Sequence, residues 1–236
     1  MISLIIPSYN RCKLLYNTLN KFLNDESINY EIIVVDQSEN QDSQLINLIK
    51  THSDKIRYFN IKRKGLPHAR NYGISVARGD FVVFCDDDVI PKKDFVLNHV
   101  RNFKEMDVGG VGGRVLVRNE DEAVHGKLRD TGVFREWDGK FTDNFSSSDR
   151  QYVDHVQGCN MSFRKDVIIQ AGGFDENFEG SAHLEESDMC LRIRNMGYKI
   201  VFDPCAELIH LKDPDGGCRA ENYHQWFYWF GHNYML

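Results

Sequence analysis

The chain has 236 residues, 42% hydrophobic and 27% charged, enough for one large α/β unit with a buried core. Acidic residues outnumber basic ones by 35 to 29, leaving a net charge of −6, which argues against a nucleic-acid binder, whose footprint is a basic face. The six cysteines include no CxxC pair, no signal peptide is visible, and no uncharged run nears the roughly 20 residues that cross a bilayer, so a reducing cytoplasm is the expected setting.

The first ninety residues alternate between two periodicities. Ile2 to Ile6 is a short apolar run ended by Pro7, the pattern of a buried strand. Leu14, Leu15, Leu19, Phe22 and Leu23 recur at helical spacing. Glu31 to Asp36 is a β-branched run ending in an acid, and Leu45, Ile46, Leu48 and Ile49 predict the next helix. Ile56 to Ile61 reads as a third strand. Pro67 to Ala77 reads as a third helix with Gly79 as its C-cap. Phe81 to Cys85 is a fourth strand that runs into Asp86-Asp87-Asp88. This alternation predicts a parallel sheet with crossover helices, in which ligands bind beyond the carboxyl ends of the strands. Ser8-Tyr9-Asn10, Asp36-Gln37-Ser38 and Asp86-Asp87-Asp88 are then three strand tips facing one crevice.

The second half is less regular. Val108 to Val117 contains GGVGGR and predicts a strand packed closely by its neighbours. Residues 119–152 are polar and predict loops. Gln157 to Phe163 reads as a strand, and Arg164 to Ala171 as a helix stopped by Gly172-Gly173. Glu185 to Met196 reads as a helix with Gly197 as its C-cap, and Tyr198 to Phe202 as a strand closed by Pro204. The aromatic tail Tyr223 to Phe230 predicts a helix packed on the domain; a membrane-surface or homodimer contact is the alternative. The chain stops soon after this segment, as a piece of a longer protein would. The expected organisation is one domain over 1–236, with a nucleotide-binding half at about 1–117 and an acceptor-facing half at about 118–236.

Three adjacent carboxylates repel one another, and a divalent cation offsets that cost. Mg²⁺ or Mn²⁺ takes hard oxygen ligands and shares itself with substrate phosphates. Asp86 and Asp88, two apart in an extended segment, point the same way. Asp36 could receive a base N–H or a ribose hydroxyl, or cap the following helix. Tyr9 could stack on a base, and Arg63, Lys64, His68 and Arg70 could meet diphosphate oxygens, Arg70 above the others. Glu185, Glu186 and Asp188 open a helix, where the dipole favours acids. They also supply a candidate general base for an attacking hydroxyl. His210 gains interest only as a completion of the upstream metal site.

Five blocks in order carry a resemblance: IIPSYNR (5–11), EIIVVDQS (31–38), GLPHARNYGISVARGDFVVFCDDDVIP (65–91), GCNMSFRKDVIIQAGGFDENF (158–178) and LEESDMCLRIRNMGYKI (184–200). Together they resemble the family 2 glycosyltransferases. The resemblance implies a GT-A fold, with a Rossmann-like, mostly parallel central sheet flanked by helices and a smaller acceptor-side region. It implies an inverting transfer from a nucleotide-diphosphate sugar, with a UDP-sugar as the expected donor, to the hydroxyl of a glycan or lipid-linked acceptor. The expected setting is polysaccharide or glycoconjugate biosynthesis at the inner membrane face. Pro7, Tyr9, Asp36, Arg70, Asp86 and Asp87 look like the donor site, and Asp86, Asp88 and His210 like the holders of Mn²⁺ or Mg²⁺. Residues 172–176 look like the acceptor-side loop. The family's Glu-Asp-x-Asp run is Glu185-Glu186-Ser187-Asp188 here, which leaves the base open between Glu186 and Asp188. Gln37 stands where the family has an acid. Two other classes share parts of the pattern. A sugar nucleotidyltransferase would carry a glycine-rich loop where PSYNR stands, and an inactive carbohydrate-binding protein would not need both acidic runs.

Overall fold

A computed structural model describes residues 1–25, 27–117, 130–213, 216–218 and 222–236. Its first half alternates as the periodicity requires: β1 (Ile2–Ser8), α1 (Cys12–Leu23), β2 (Glu31–Asp36), α2 (Ser43–Thr51), β3 (Ile56–Asn60), α3 (Leu66–Val76) and β4 (Phe81–Cys85). Then come β5 (Val89–Pro91), α4 (Phe95–Val100), a 3₁₀ turn (Arg101–Lys104) and β6 (Val108–Val117). β7 (Phe134–Arg135), β8 (Lys140–Phe141), β9 (Gln151–Val153), β10 (Asn160–Arg164) and α5 (Lys165–Gln170) follow. α6 (Glu185–Asn195), β11 (Lys199–His210) and α7 (Tyr223–Tyr234) complete the described chain.

The main sheet has the order β3-β2-β1-β4-β10-β6-β11-β5, with β9 on β11. β3, β2, β1 and β4 run parallel. β10 is antiparallel to both β4 and β6, and β6 and β11 are parallel. Alternate side chains of each strand face opposite layers. Leu4, Ile6, Ile32 and Val34 pack under α1, α2 and α4 through Leu15, Phe22, Leu45 and Phe95. Ile5, Ile33, Val35 and Phe84 pack on the other face with Phe174, Met189 and Ile193. A sheet covered on both faces has near-continuous apolar strands, which is why β1, β2 and β4 were legible.

Several boundaries depart from expectation. β1 runs through Pro7 to Ser8, because the pairing with β2 continues to Ser8↔Asp36. β10 begins at Asn160, since 157–160 form a turn closed by Asn160 N–H donating to the Gln157 carbonyl. Pro204 does not close the last strand. β11 continues to His210 past an irregularity between Asp203 and Leu208, the kind of bulge in which a sheet accepts proline. Gly79 is not the C-cap of α3; Ala77 is. Gly79 lies against the Ile2 and Ser3 backbone, where a Cβ would stand 2.7 Å from the Ile2 carbonyl carbon. The segment expected to be loops contains β7, β8 and β9; its residues 119–129 lie outside the described residues.

The tail forms the expected helix, α7, and it packs on the domain. Buried Asn233 exchanges hydrogen bonds with the Glu179 backbone, and Trp229 packs on Gly180. Tyr223, Trp226, Phe227 and Tyr228 remain exposed. Among the described residues no helix is long and apolar enough to cross a membrane.

Candidate active site

The β1–β2 register sets Ser8 opposite Asp36, and the β1–β4 register sets Ile5 opposite Phe84, so the three strand tips lie side by side. Pro7, Tyr9, Gln37, Asp86 and Asp87 line a cleft of about 90 Å³ above them. Asp36 is buried and does not itself line this cleft, although its neighbour Gln37 does. The Asp36 carboxylate accepts from Ser38 N–H at 2.9 Å, Ser38 Oγ at 2.5 Å and Tyr58 OH at 2.7 Å. It does not cap α2, because Asp42 does so through Gln44 and Leu45. The Gln37 amide donates to the carbonyls of Arg63 and Gly65, which fixes the loop entering α3. Lys64 sits 4.9 Å over the Tyr9 ring. Arg63 and His68 turn to Glu176 instead of the cleft.

The acidic triplet divides into three environments. Asp87 is buried, accepts from Ser8 Oγ at 2.6 Å and pairs with Arg11 at 3.1 Å. Burial pushes its pKa up to about 7 against the pull of Ser8 and Arg11. Asp88 is fully buried; it meets His210 Nε2 at 3.0 Å and accepts from Asp213 N–H at 3.1 Å. Burial works to raise its pKa, but the His210 hydrogen bond and the charges of His210 and Arg11 outweigh it and hold the carboxyl below its ordinary value. Burial pulls His210 down, and the Asp88 hydrogen bond with the Asp86 and Asp88 charges outweighs that, so the imidazole is raised. Asp86 is the half-buried member, with His210 Nε2 at 3.6 Å and Arg70 at 3.9 Å. Part of the triplet's repulsion is thus offset by Arg11, whose role no spacing in the sequence announced.

Asp86 and His210 also line a second cavity, of about 210 Å³, with Arg70, Cys159, Glu185 and Glu186. Ligand atoms of Asp86, Cys159 and His210 all lie within 4.8 Å of one another. This chemistry fits a divalent ion. Arg70 does not reach the first cleft. It is buried, ion-paired with buried Glu185, bonded to the Gly158 carbonyl at 2.9 Å and stacked on Phe174.

Glu186 separates this cavity from a third, of about 620 Å³, walled by Phe141, Asn144, His155, His183, Phe230 and Tyr234. Burial raises the Glu186 pKa, opposed by the Arg70 and His155 charges. Asp188 lines none of these cavities. It holds Arg192 at 2.6 Å, and Arg192 donates to the Ala171 and Gly173 carbonyls. That cation carries the 172–176 loop. His155 was missed because its partners are distant in sequence: Nε2 faces the Thr142 carbonyl at 3.1 Å and Nδ1 faces Ser187 Oγ at 3.2 Å.

The model of glycosyl transferase family 2 matches residues 3–172. The chain is 25% identical over 191 residues to the glucosyl-dolichyl phosphate glucuronosyltransferase of Haloferax volcanii, covering 76% of this chain and 58% of that one. It is 26% identical over 209 residues to the poly-beta-1,6-N-acetyl-D-glucosamine synthase of Staphylococcus aureus, covering 87% and 48%. The chain therefore spans about half the length of these relatives. A Pyrobaculum calidifontis mannosyltransferase solved with GDP-Man and Mn²⁺ superposes with a TM-score of 0.67 at 21% identity, over 95% of this chain and 59% of that one. The fold is shared with it, and it is the GT-A fold.

Proposed function

The chain belongs to glycosyl transferase family 2, and from that membership we propose that it is an inverting, metal-dependent transferase. It moves a sugar from a nucleotide-diphosphate donor, a UDP-sugar, to the hydroxyl of a glycan or lipid-linked acceptor in polysaccharide or glycoconjugate synthesis. One relation carries the reading: Asp86 borders both the first cleft and the second cavity, and Glu186 borders both the second cavity and the third. That order matches nucleotide, diphosphate with metal, and acceptor.

The nucleotide lies along Pro7, Tyr9 and Gln37, and Asp36 supports that end of the cleft through Ser38 and Tyr58. Asp86, Asp88 and His210 are the residues that would hold Mn²⁺ or Mg²⁺, which neutralises charge on the leaving diphosphate. Arg70 keeps positive charge under Asp86. The Glu186 carboxylate takes the proton of the acceptor hydroxyl as its oxygen bonds to the anomeric carbon. The bond from that carbon to the diphosphate breaks, and its electron pair leaves with the diphosphate. One displacement inverts the centre. Asp188 acts at a distance, by holding the 172–176 loop through Arg192. The exposed aromatics of α7 support contact with a membrane surface, where Trp and Tyr rings are at home and a lipid-linked acceptor would be presented.

A panel of nucleotide sugars with Mn²⁺, with and without chelator, tests the reading. Slow, chelator-sensitive sugar release from one donor is expected. Pyrophosphorolysis would reassign the chain as a nucleotidyltransferase, and no turnover of any donor would leave a binding protein.

A further inference from the structure

The metal-dependent reading above has a consequence for the identity of the ligands. β10 is antiparallel to β4 with Asn160 opposite Cys85. Residue 159 is thereby carried beside residue 86, just past the strand end. His210 ends β11, which pairs with β5. Three separate strands thus deliver an oxygen, a sulfur and a nitrogen to one place, all within 4.8 Å, on the wall of one cavity. The Cys159 side chain is 4% exposed, and among the described residues its thiol makes no hydrogen bond. Glu185 Oε2, on the same wall and in a side chain 1% exposed, is also without a hydrogen-bond partner. Asp88 stands behind this set, its Oδ1 3.0 Å from His210 Nε2.

We propose that Cys159 is a direct ligand of the divalent ion, forming with Asp86 and His210 a mixed oxygen, nitrogen and sulfur set. Binding breaks the Cys159 S–H bond, the proton passes to solvent, and the sulfur donates its electron pair to the ion; no oxidation state changes. A thiolate ligand favours borderline ions such as Co²⁺ and Zn²⁺ over Mg²⁺, which prefers oxygen alone.

Cobalt titration of the metal-free chain, followed by optical absorption, tests this. Visible d–d bands report that cobalt is bound, and a near-ultraviolet thiolate-to-cobalt charge-transfer band reports sulfur in its coordination sphere. Both are expected to rise together in the wild type. Cys159→Ser should keep the visible bands and lose the near-ultraviolet band, with cobalt affinity reduced at least about tenfold, the scale on which even outer-shell partners act. Cys218→Ser, changing the thiol of the neighbouring cleft, should keep both bands. Visible bands without the charge-transfer band in the wild type, or a band that follows Cys218, overturns the proposal and leaves the metal-dependent reading intact. No cobalt bands, together with no Mn²⁺-dependent binding of nucleoside diphosphate, removes both. If Cys159→Ser does not fold, the wild-type and Cys218→Ser spectra still decide between these outcomes.

Discussion

His210 Nε2 stands 3.0 Å from Asp88 Oδ1 across 122 residues of sequence. β5 makes this possible: it pairs with the end of β11, setting His210 opposite Val89, the residue after Asp88. The acidic strand tip and a histidine from the far end of the chain are thereby one unit.

Asp88→Asn tests that unit while nearly preserving its shape. The substitution removes the charge and should abolish Mn²⁺-dependent binding of nucleoside diphosphate in calorimetry. Transfer should fall on the order of 10²- to 10³-fold, the usual effect of losing an electrostatic element at a reacting centre. Metal-dependent binding of wild-type strength in a folded Asp88→Asn protein would remove Asp88 from the metal's surroundings.

Glu186→Gln should leave donor affinity close to wild type and lower kcat by roughly 10²- to 10⁴-fold. Because the Glu186 pKa is raised by burial, the base is lost by protonation above the ordinary carboxylate range. The acid limb of the kcat profile should therefore lie above that range in the wild type and be absent from the residual activity of the variant. Asp188→Asn should change kcat far less than Glu186→Gln. The reverse ranking would transfer the proton-accepting role to Asp188.

Acid stability should depend on His99, a fully buried side chain of α4 that faces β10. Asn160 Nδ2 donates to the Arg114 and Ala206 carbonyls, so Asn160 Oδ1 accepts from His99 Nε2 at 2.8 Å, and His99 Nδ1 accepts from Ser162 Oγ at 3.0 Å. Burial lowers the His99 pKa from 6.5 to about 4, against the Asn160 hydrogen bond and the Asp203 charge. The unfolded chain therefore binds this proton first as pH falls. The neutral histidine's contribution, about 3 kcal/mol at most, is complete above pH 6.5 and lost as pH falls through 4. His99→Gln should be less stable at neutral pH and show a flatter decline of Tm between those limits. An unchanged slope would rule out His99 as its source.

Gly113→Ala should destabilise the sheet by about 3 kcal/mol, the upper range for overpacking a core. Its Cβ would meet the Ala206 carbonyl oxygen and the Asn160 amide, the latter at 2.6 Å. Both belong to the strands on either side of β6. Gly139→Ala meets no atom within 4 Å but places alanine at a φ of +67, so it should cost about 1 kcal/mol of backbone strain, and thermal melting of the two variants separates that cost from loss of space.

Much of the first half was legible because local pattern and global fold coincide. The apolar runs of β1, β2 and β4 are continuous because both sheet faces are covered, and their polar ends fall on one edge because the strands are parallel. The second half was less so. β5, β7 and β9 are two or three residues long, too short for a period to show, and the bulge that carries β11 past Pro204 depends on pairing with β6. The Arg70–Glu185 ion pair, the Arg11 bridge to the acidic tip and the approach of Cys159 to His210 all join residues distant in sequence.

By itself the sequence determined the strand–helix alternation, the acidic tip after β4 and the acidic first turn of α6, since each is a property of adjacent residues. Only the tertiary structure decided which acids line a cavity and which are held by partners. Asp86 and Glu186 line cavities, while Asp36, Asp88 and Asp188 are held by partners. The reason is physical: solvation and pairing of a carboxylate depend on what other strands bring to it, and no spacing within one segment records that.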